Sequence, residues 1–226
     1  MSRKLAFLHT VSTLTGLFSA LAKEILPADV EIFHIADEAL IKVVLAQGGL
    51  SPFIYRRVSD DVAAAEQAGA NVVLLTCSSI SPCAETARLM THVPVLKVDE
   101  PMADMAISLG TRIGVVATAP TTLKPTVELV QVRAGLRGKK IKVEPVLCQE
   151  AYVALWAGDM DTHDRLVRET LQSLMSRSDA IMLAQASMAR VLETIPAEAQ
   201  TIPILTSPRL AVEQARDVLN RVHPKF

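Results

Sequence analysis

Aromatic side chains are scarce in this chain, at 4% of 226 residues. That weighs against surfaces that stack bases or sugars on exposed rings. A basic excess is missing too, since 23 Lys and Arg stand against 24 Asp and Glu. Nucleic acids and acidic membranes are therefore not expected partners. No run reaches the roughly 18–20 apolar residues of a membrane span. Residues 1–4 carry the charge of a secretion-signal start, but the apolar run 5–8 stops at His9. A signal core needs about 7–15 apolar residues, so a cytoplasmic protein is expected. Cysteine is limited to Cys77, Cys83 and Cys148, with no Cys-x-x-Cys. An odd, sparse set does not make a disulfide scaffold and suits a reducing compartment. The glycine patterns of dinucleotide and phosphate-loop sites are absent. No two of the five histidines have the i, i+4 spacing of a helical zinc site. No cofactor and no metal are expected.

What is present is apolar and periodic. Half the residues are hydrophobic and 21% are charged, enough for a sizeable core. Short buried-strand patterns at 5–8, 30–35, 72–75 and 94–98 alternate with helical stripes, such as Leu14, Leu17, Phe18, Leu21 and Ile25. A second stripe, Val58, Val62, Ala65 and Gly69, predicts a helix before the third strand. Strands apolar throughout, separated by helices, predict a parallel sheet with right-handed crossovers.

The pattern then begins again. Strands at 113–116 and 180–183 match the first and third at an offset of 108, and 202–205 matches the fourth at 109. The run 143–146 is aligned with 30–33 at 113, which implies a five-residue difference in loop length. The fold class expected is α/β: two pseudo-symmetric parallel-sheet halves related by duplication, with an interdomain active-site cleft. The first half is read as 1–106 plus a C-terminal helix in 207–226, and the second as 107–206.

Chemistry is concentrated after the strands. Thr76-Cys77-Ser78-Ser79 places a thiol just past a buried strand, with a helix start expected to follow. A helix N-terminus lowers a thiol pKa and binds anions. A core role is the alternative, since free Cys is often buried. Cys83 and Cys148 read as core or helix-face residues. Hydroxyls recur at matched strand ends: Thr10, Ser12, Ser78, Ser79, Thr118, Thr121, Thr122 and Ser187. As a set they suit a carboxylate or an enolate-like oxyanion; singly, each is an ordinary helix cap. His9 follows the first strand and is a candidate second acid/base group. Asp159 to Asp164 reads as a helix N-cap, not a calcium loop.

Two α/β halves, Thr-Cys-Ser-Ser after the third strand, Val-Asp-Glu-Pro-Met-Ala before the second half and Ile-Gly-Val-Val-Ala-Thr-Ala opening it resemble the aspartate/glutamate/hydantoin racemase superfamily. The resemblance implies a homodimer acting on a small carboxylic acid without pyridoxal phosphate or metal. It also implies two opposed cysteines working as bases at the α-carbon. Cys77 matches the first. The second falls at position 185, which is Gln; an amide cannot take and return a proton at neutral pH. The resemblance therefore implies a racemase or isomerase with Cys77 and Gln185 at the centre and Thr10, Ser12, Ser78, Ser79, Thr118, Thr122 and His9 around the substrate. A one-base decarboxylase or lyase, similar to arylmalonate decarboxylase, is the first alternative. A non-catalytic carboxylate-binding relative is the second.

Overall fold

The computed structural model describes residues 3–222, apart from the side chains of residues 187 and 193. Ser187's hydroxyl and His223 thus lie outside the described groups. The chain forms two compact units, one running to Glu100 and resuming at Pro208, the other Pro101–Ser207. The sequence reading put these breaks at 106 and 207.

The first unit orders its elements as β1 (Arg3–His9), α1 (Thr15–Ile25), β2 (Val30–Ala36), α2 (Glu38–Gln47), α3 (Pro52–Gln67), β3 (Val72–Leu75), α4 (Cys83–Arg88) and β4 (Val95–Lys97). Its sheet is wholly parallel, in the order β2-β1-β3-β4. Alternation along the strands divides the apolar residues between two faces. Leu5, Phe7, Val72 and Leu74 pack with Phe18 of α1 and with Ala211, Val212 and Ala215 of the final helix. Ala6, Leu8, Val73 and Leu75 pack on the opposite face with Leu40, Val44, Ile54, Val58 and Val62 of α2 and α3. Fully burying a side chain such as Phe18 contributes about 1.5–3 kcal/mol.

Helix α2 has a sequence cause that the strand pattern hid. Asp37 caps it by accepting the Ala39 N–H at 3.0 Å, and Gly48 ends it at φ 69°. Gly69 is not on the inner stripe of α3. It follows the helix at φ 89°, a left-handed conformation that glycine adopts without a Cβ clash.

The second unit holds α5 (Glu100–Leu109), β5 (Arg112–Ala117), α6 (Pro120–Leu136), β6 (Lys142–Leu147), α7 (Gln149–Trp156), α8 (Met160–Met175), β7 (Ala180–Leu183), α9 (Ala189–Glu193) and β8 (Ile204–Thr206). Helix α5 starts one residue before the unit boundary, and α10 (Ser207–Leu219) returns to the first unit. The sheet order β6-β5-β7-β8 repeats that of the first. Pro145 sits in β6, an edge strand, where a missing N–H is tolerated. The α8 stripe Val167, Leu171 and Leu174 packs on Val116, Ile181 and Leu183. Asp159 caps that helix through the Thr162 N–H, as the sequence predicts.

The register confirms the repeat and corrects one offset. Leu5 pairs with Val72 and Ile113 with Ala180, a shift of 108 in both members. But Leu5 pairs with Ile32 and Ile113 with Val143, so β2 and β6 are related by 111 rather than 113. A two-residue slip keeps every side chain on its own face, so matching by apolar pattern could not detect it. The repeat extends to polar braces. The Lys4 N–H donates to Asn71 Oδ1 at 2.7 Å, and the Arg112 N–H donates to Asp179 Oδ2 at 2.9 Å.

Candidate functional site

In the first unit the groups of interest follow the carboxyl ends of β1, β3 and β4. Thr76 and Cys77 continue the alternation of β3 and point to opposite faces. Cys77 is partly buried and packs against the core shared with α2 and α3. Its carbonyl accepts the Ile80 N–H at 3.2 Å, which starts a run of tight turns. Helix α4 begins only at Cys83 and is six residues long. The expected helix start beside Cys77 is therefore displaced, and a helix dipole on this thiol is not part of the geometry.

Cys83 is fully buried, and burial together with the neighbouring Cys77 pushes its thiol up to about 12. It remains a neutral core thiol. Cys148 is also buried, its Sγ 3.6 Å from the Thr170 hydroxyl, whose proton goes to the Leu166 carbonyl at 2.9 Å.

His9 is not placed to reach a substrate. It is completely buried, and both ring nitrogens are occupied. Thr76 Oγ1 lies 3.0 Å from the Leu8 carbonyl and 2.8 Å from His9 Nδ1. A carbonyl can only accept, so the hydroxyl donates to Leu8 and receives the His9 Nδ1–H. His9 Nε2 then accepts from His34 Nδ1 at 2.8 Å, and His34 Nε2 accepts the Ser19 hydroxyl at 2.9 Å. The chain is complete with both imidazoles neutral. Burial, aided by His34, pulls the His9 pKa down to about 4. The rings stack with Phe7, whose centroid lies 5.2 Å from that of His34.

The serines divide by role. Ser12 is exposed; its N–H and hydroxyl meet Glu38 Oε1 at 2.9 and 2.5 Å. These bonds hold the Glu38 carboxyl below its ordinary range. Ser12 thus ties the loop after β1 to the start of α2 instead of capping α1. Ser78 and Ser79 are buried. The Ser78 hydroxyl bonds to the Asp99 carboxyl, as does Ser81, whose Oγ donates to Asp99 Oδ1 at 2.9 Å. With its proton committed to Asp99, Ser78 has no O–H left to offer a substrate carboxylate. Thr10 is buried at the end of β1.

In the second unit, Gln185 follows β7 as Cys77 follows β3. Its Oε1 accepts the Thr118 N–H at 2.6 Å and the Thr118 hydroxyl at 2.9 Å. A backbone N–H can only donate, so the carboxamide orientation is chemically fixed. The oxygen faces Thr118, and the NH2 is turned away from it. Two residues past Thr118, α6 opens with Pro120 and has no side-chain cap at Ala119. Thr121 lies in its first turn, 9% exposed, with an Oγ1 that has no hydrogen-bond partner among the described residues. Thr122 is buried beside it, and its N–H donates to the Ala119 carbonyl at 3.1 Å. An unspent hydroxyl at an uncapped helix N-terminus, three residues after the Thr118 that orients the Gln185 amide, is suited to a carboxylate. A groove of about 570 Å3 elsewhere in this unit is lined by Leu147, Cys148, Val153, Leu166 and Thr170 among others, and includes none of the sequence-derived site residues.

Sequence reasoning missed Asp99 and Ser81. A carboxylate directly after an apolar strand was the available signal for Asp99, read only as part of a family string. Ser81 carried none.

A duplicated, wholly parallel α/β architecture with thiol, hydroxyl and amide groups at equivalent strand ends defines a racemase-type fold. The family model described as Asp/Glu/Hydantoin racemase matches residues 10–215, and the chain belongs to that family. No curated protein matches it by sequence. Solved structures share the fold. A glutamate racemase from Francisella tularensis, in complex with D-glutamate, is 14% identical with a TM-score of 0.73, over 100% of this chain and 84% of that one. An allantoin racemase from Klebsiella pneumoniae is 20% identical with a TM-score of 0.69, over 99% and 91%. An aspartate racemase homologue from Pyrococcus horikoshii is 11% identical with a TM-score of 0.68, over 96% and 99%. Among the described residues no helix is long and apolar enough to cross a membrane.

Proposed function

We propose that this chain is a cofactor-independent enzyme acting at the α-carbon of a small carboxylic acid, with Cys77 as its one thiol acid/base. The observation that carries this reading is the orientation of Gln185, whose oxygen is held by Thr118. At the place where the repeat calls for a second thiol, the chain offers an N–H donor that cannot remove a proton. Cys77 exchanges the proton, the Gln185 amide donates to the developing enolate or carboxylate oxygen, and Thr121 and Thr122 hold the carboxylate.

A single base delivers its proton to one face of a planar intermediate. Racemase-type exchange is what the family favours. Decarboxylation followed by one-face protonation is what the replacement of the second thiol favours. Both use Cys77 on one face and differ in the bond that breaks. C–H cleavage by the thiolate and return of the proton gives exchange with retention, whereas C–C cleavage releases carbon dioxide before the thiol protonates that same face. Inversion would need a proton donor on the opposite face.

The experiment is proton NMR in D2O with aspartate, glutamate and substituted malonates, followed by chiral separation of the products. Deuterium entering one product configuration, abolished in Cys77→Ala, supports the reading. Turnover unchanged in Cys77→Ala overturns it. Saturable binding of these acids with no exchange in the native chain also overturns it, in favour of a non-catalytic carboxylate-binding relative.

A further inference from the structure

We infer that Asp99 is a positioning residue for Cys77, holding the turn that carries the thiol by accepting hydrogen bonds from two serines on that turn. The inference builds on the reading of Cys77 as the working thiol. Asp99 lies two residues beyond β4 and is fully buried. Its Oδ1 takes the Ser81 hydroxyl at 2.9 Å, and its carboxyl also bonds the Ser78 hydroxyl. Ser78 and Ser81 belong to the turn run that begins at the Cys77 carbonyl, in which the Ser81 N–H donates to the Ser78 carbonyl at 3.3 Å. One carboxyl from the neighbouring strand end thus grips the turn at two points, one of them adjacent to the thiol.

The grip works by acceptance rather than by charge. Asp99 Oδ2 is buried and has no hydrogen-bond partner among the described residues. A carboxylate with one oxygen left unsolvated and unbonded is costly. Burial accordingly raises the group to about 6, against the opposing pull of the two serines and of Lys97 on β4. Lys97 is itself occupied, 2.6 Å from Glu85 and 3.8 Å from Glu100. A neutral acceptor of the same shape should therefore do the same work.

The test measures how fast iodoacetamide alkylates Cys77 in the intact chain at pH 7, followed by peptide mass spectrometry that separates Cys77 from Cys83. Asp99→Asn keeps the accepting oxygen and is expected to stay within twofold of the native rate. Asp99→Ala and the double variant Ser78→Ala/Ser81→Ala release the turn and are expected to speed alkylation at least tenfold, with Cys83 still protected. Where Asp99→Ala does not fold, the serine double variant and Asp99→Asn decide. A native rate in the serine double variant overturns the inference. So does an Asp99→Asn rate raised as far as that of Asp99→Ala, because charge would then be the operative property. The readout needs no substrate. Failure of the catalytic reading, seen as turnover surviving Cys77→Ala, is therefore separate from failure of this one.

Discussion

Thr118 gives both its backbone N–H and its hydroxyl to the carboxamide oxygen of Gln185, at 2.6 and 2.9 Å. The pair fixes which end of the amide is available, and that end can only donate. Gln185→Glu should therefore remove the donor while keeping the acceptor that Thr118 uses. Exchange at the α-carbon should fall by about 100-fold, the scale of losing one oxyanion donor. Folding, followed by circular dichroism, should be preserved.

Gln185→Cys restores the thiol that the family pattern calls for. If one thiol limits the native chain to one face, this variant should place deuterium in both product configurations. Chiral chromatography of product formed in D2O reads the outcome directly. A variant that still labels a single configuration would show that Cys77 alone does not set the stereochemistry.

The His9–His34 pair makes stability depend on pH in a defined direction. His9 titrates near 4 when folded and near 6.5 when unfolded. The unfolded chain binds the proton more readily in that window, so stability should fall as pH drops from 6.5 towards 4. Asp61 and Asp99, both raised to about 6 from 3.8, act in the opposite direction. Their contribution weakens as pH rises through 4 to 6. His9→Gln should reduce the first slope, leaving the part due to His34, which burial also lowers, and should leave the second unchanged. Urea midpoints at pH 4, 5, 6 and 7 separate the two.

Asn71→Ala leaves the Lys4 N–H without the acceptor it has at 2.7 Å. Asn71 is 3% exposed, so water does not readily replace it. A loss of about 1–3 kcal/mol is expected from an orphaned backbone donor, measured by chemical denaturation.

Gly110→Ala should destabilise the second unit for a steric reason. A Cβ at this position would overlap the Asp179 side chain, which already accepts the Thr111 and Arg112 N–H groups. Overpacking of this kind costs about 1–3 kcal/mol, and thermal melts report it.

Much of the fold was legible because the chain states it twice. Val72–Leu75 and Ala180–Leu183 are strands at the residues that the apolar runs mark. Helix α2 was not legible, because its ten residues expose a mixed face and its signals are an Asp cap and a closing glycine. The site was legible by residue type and position along the strands, not by partner. His9 looked available from its place at a strand end. Only the structure shows that its side chain turns to the Phe7 and Phe18 face, where Thr76 and His34 occupy both nitrogens. Ser78 looked like a ligand group for the same reason, and the acceptor that claims it lies 21 positions on along the chain.

The paired braces at Asn71 and Asp179 perform one task with two chemistries. The first is an uncharged amide. The second is a carboxylate also bound to the Arg112 guanidinium at 2.7 Å and held far below its usual titration range. Salt therefore has purchase on only one of the twin fastenings, and a mutation that exchanges amide for acid in either repeat would transfer that sensitivity to or from it. Two halves with the same strand order are thus expected to answer differently to ionic strength.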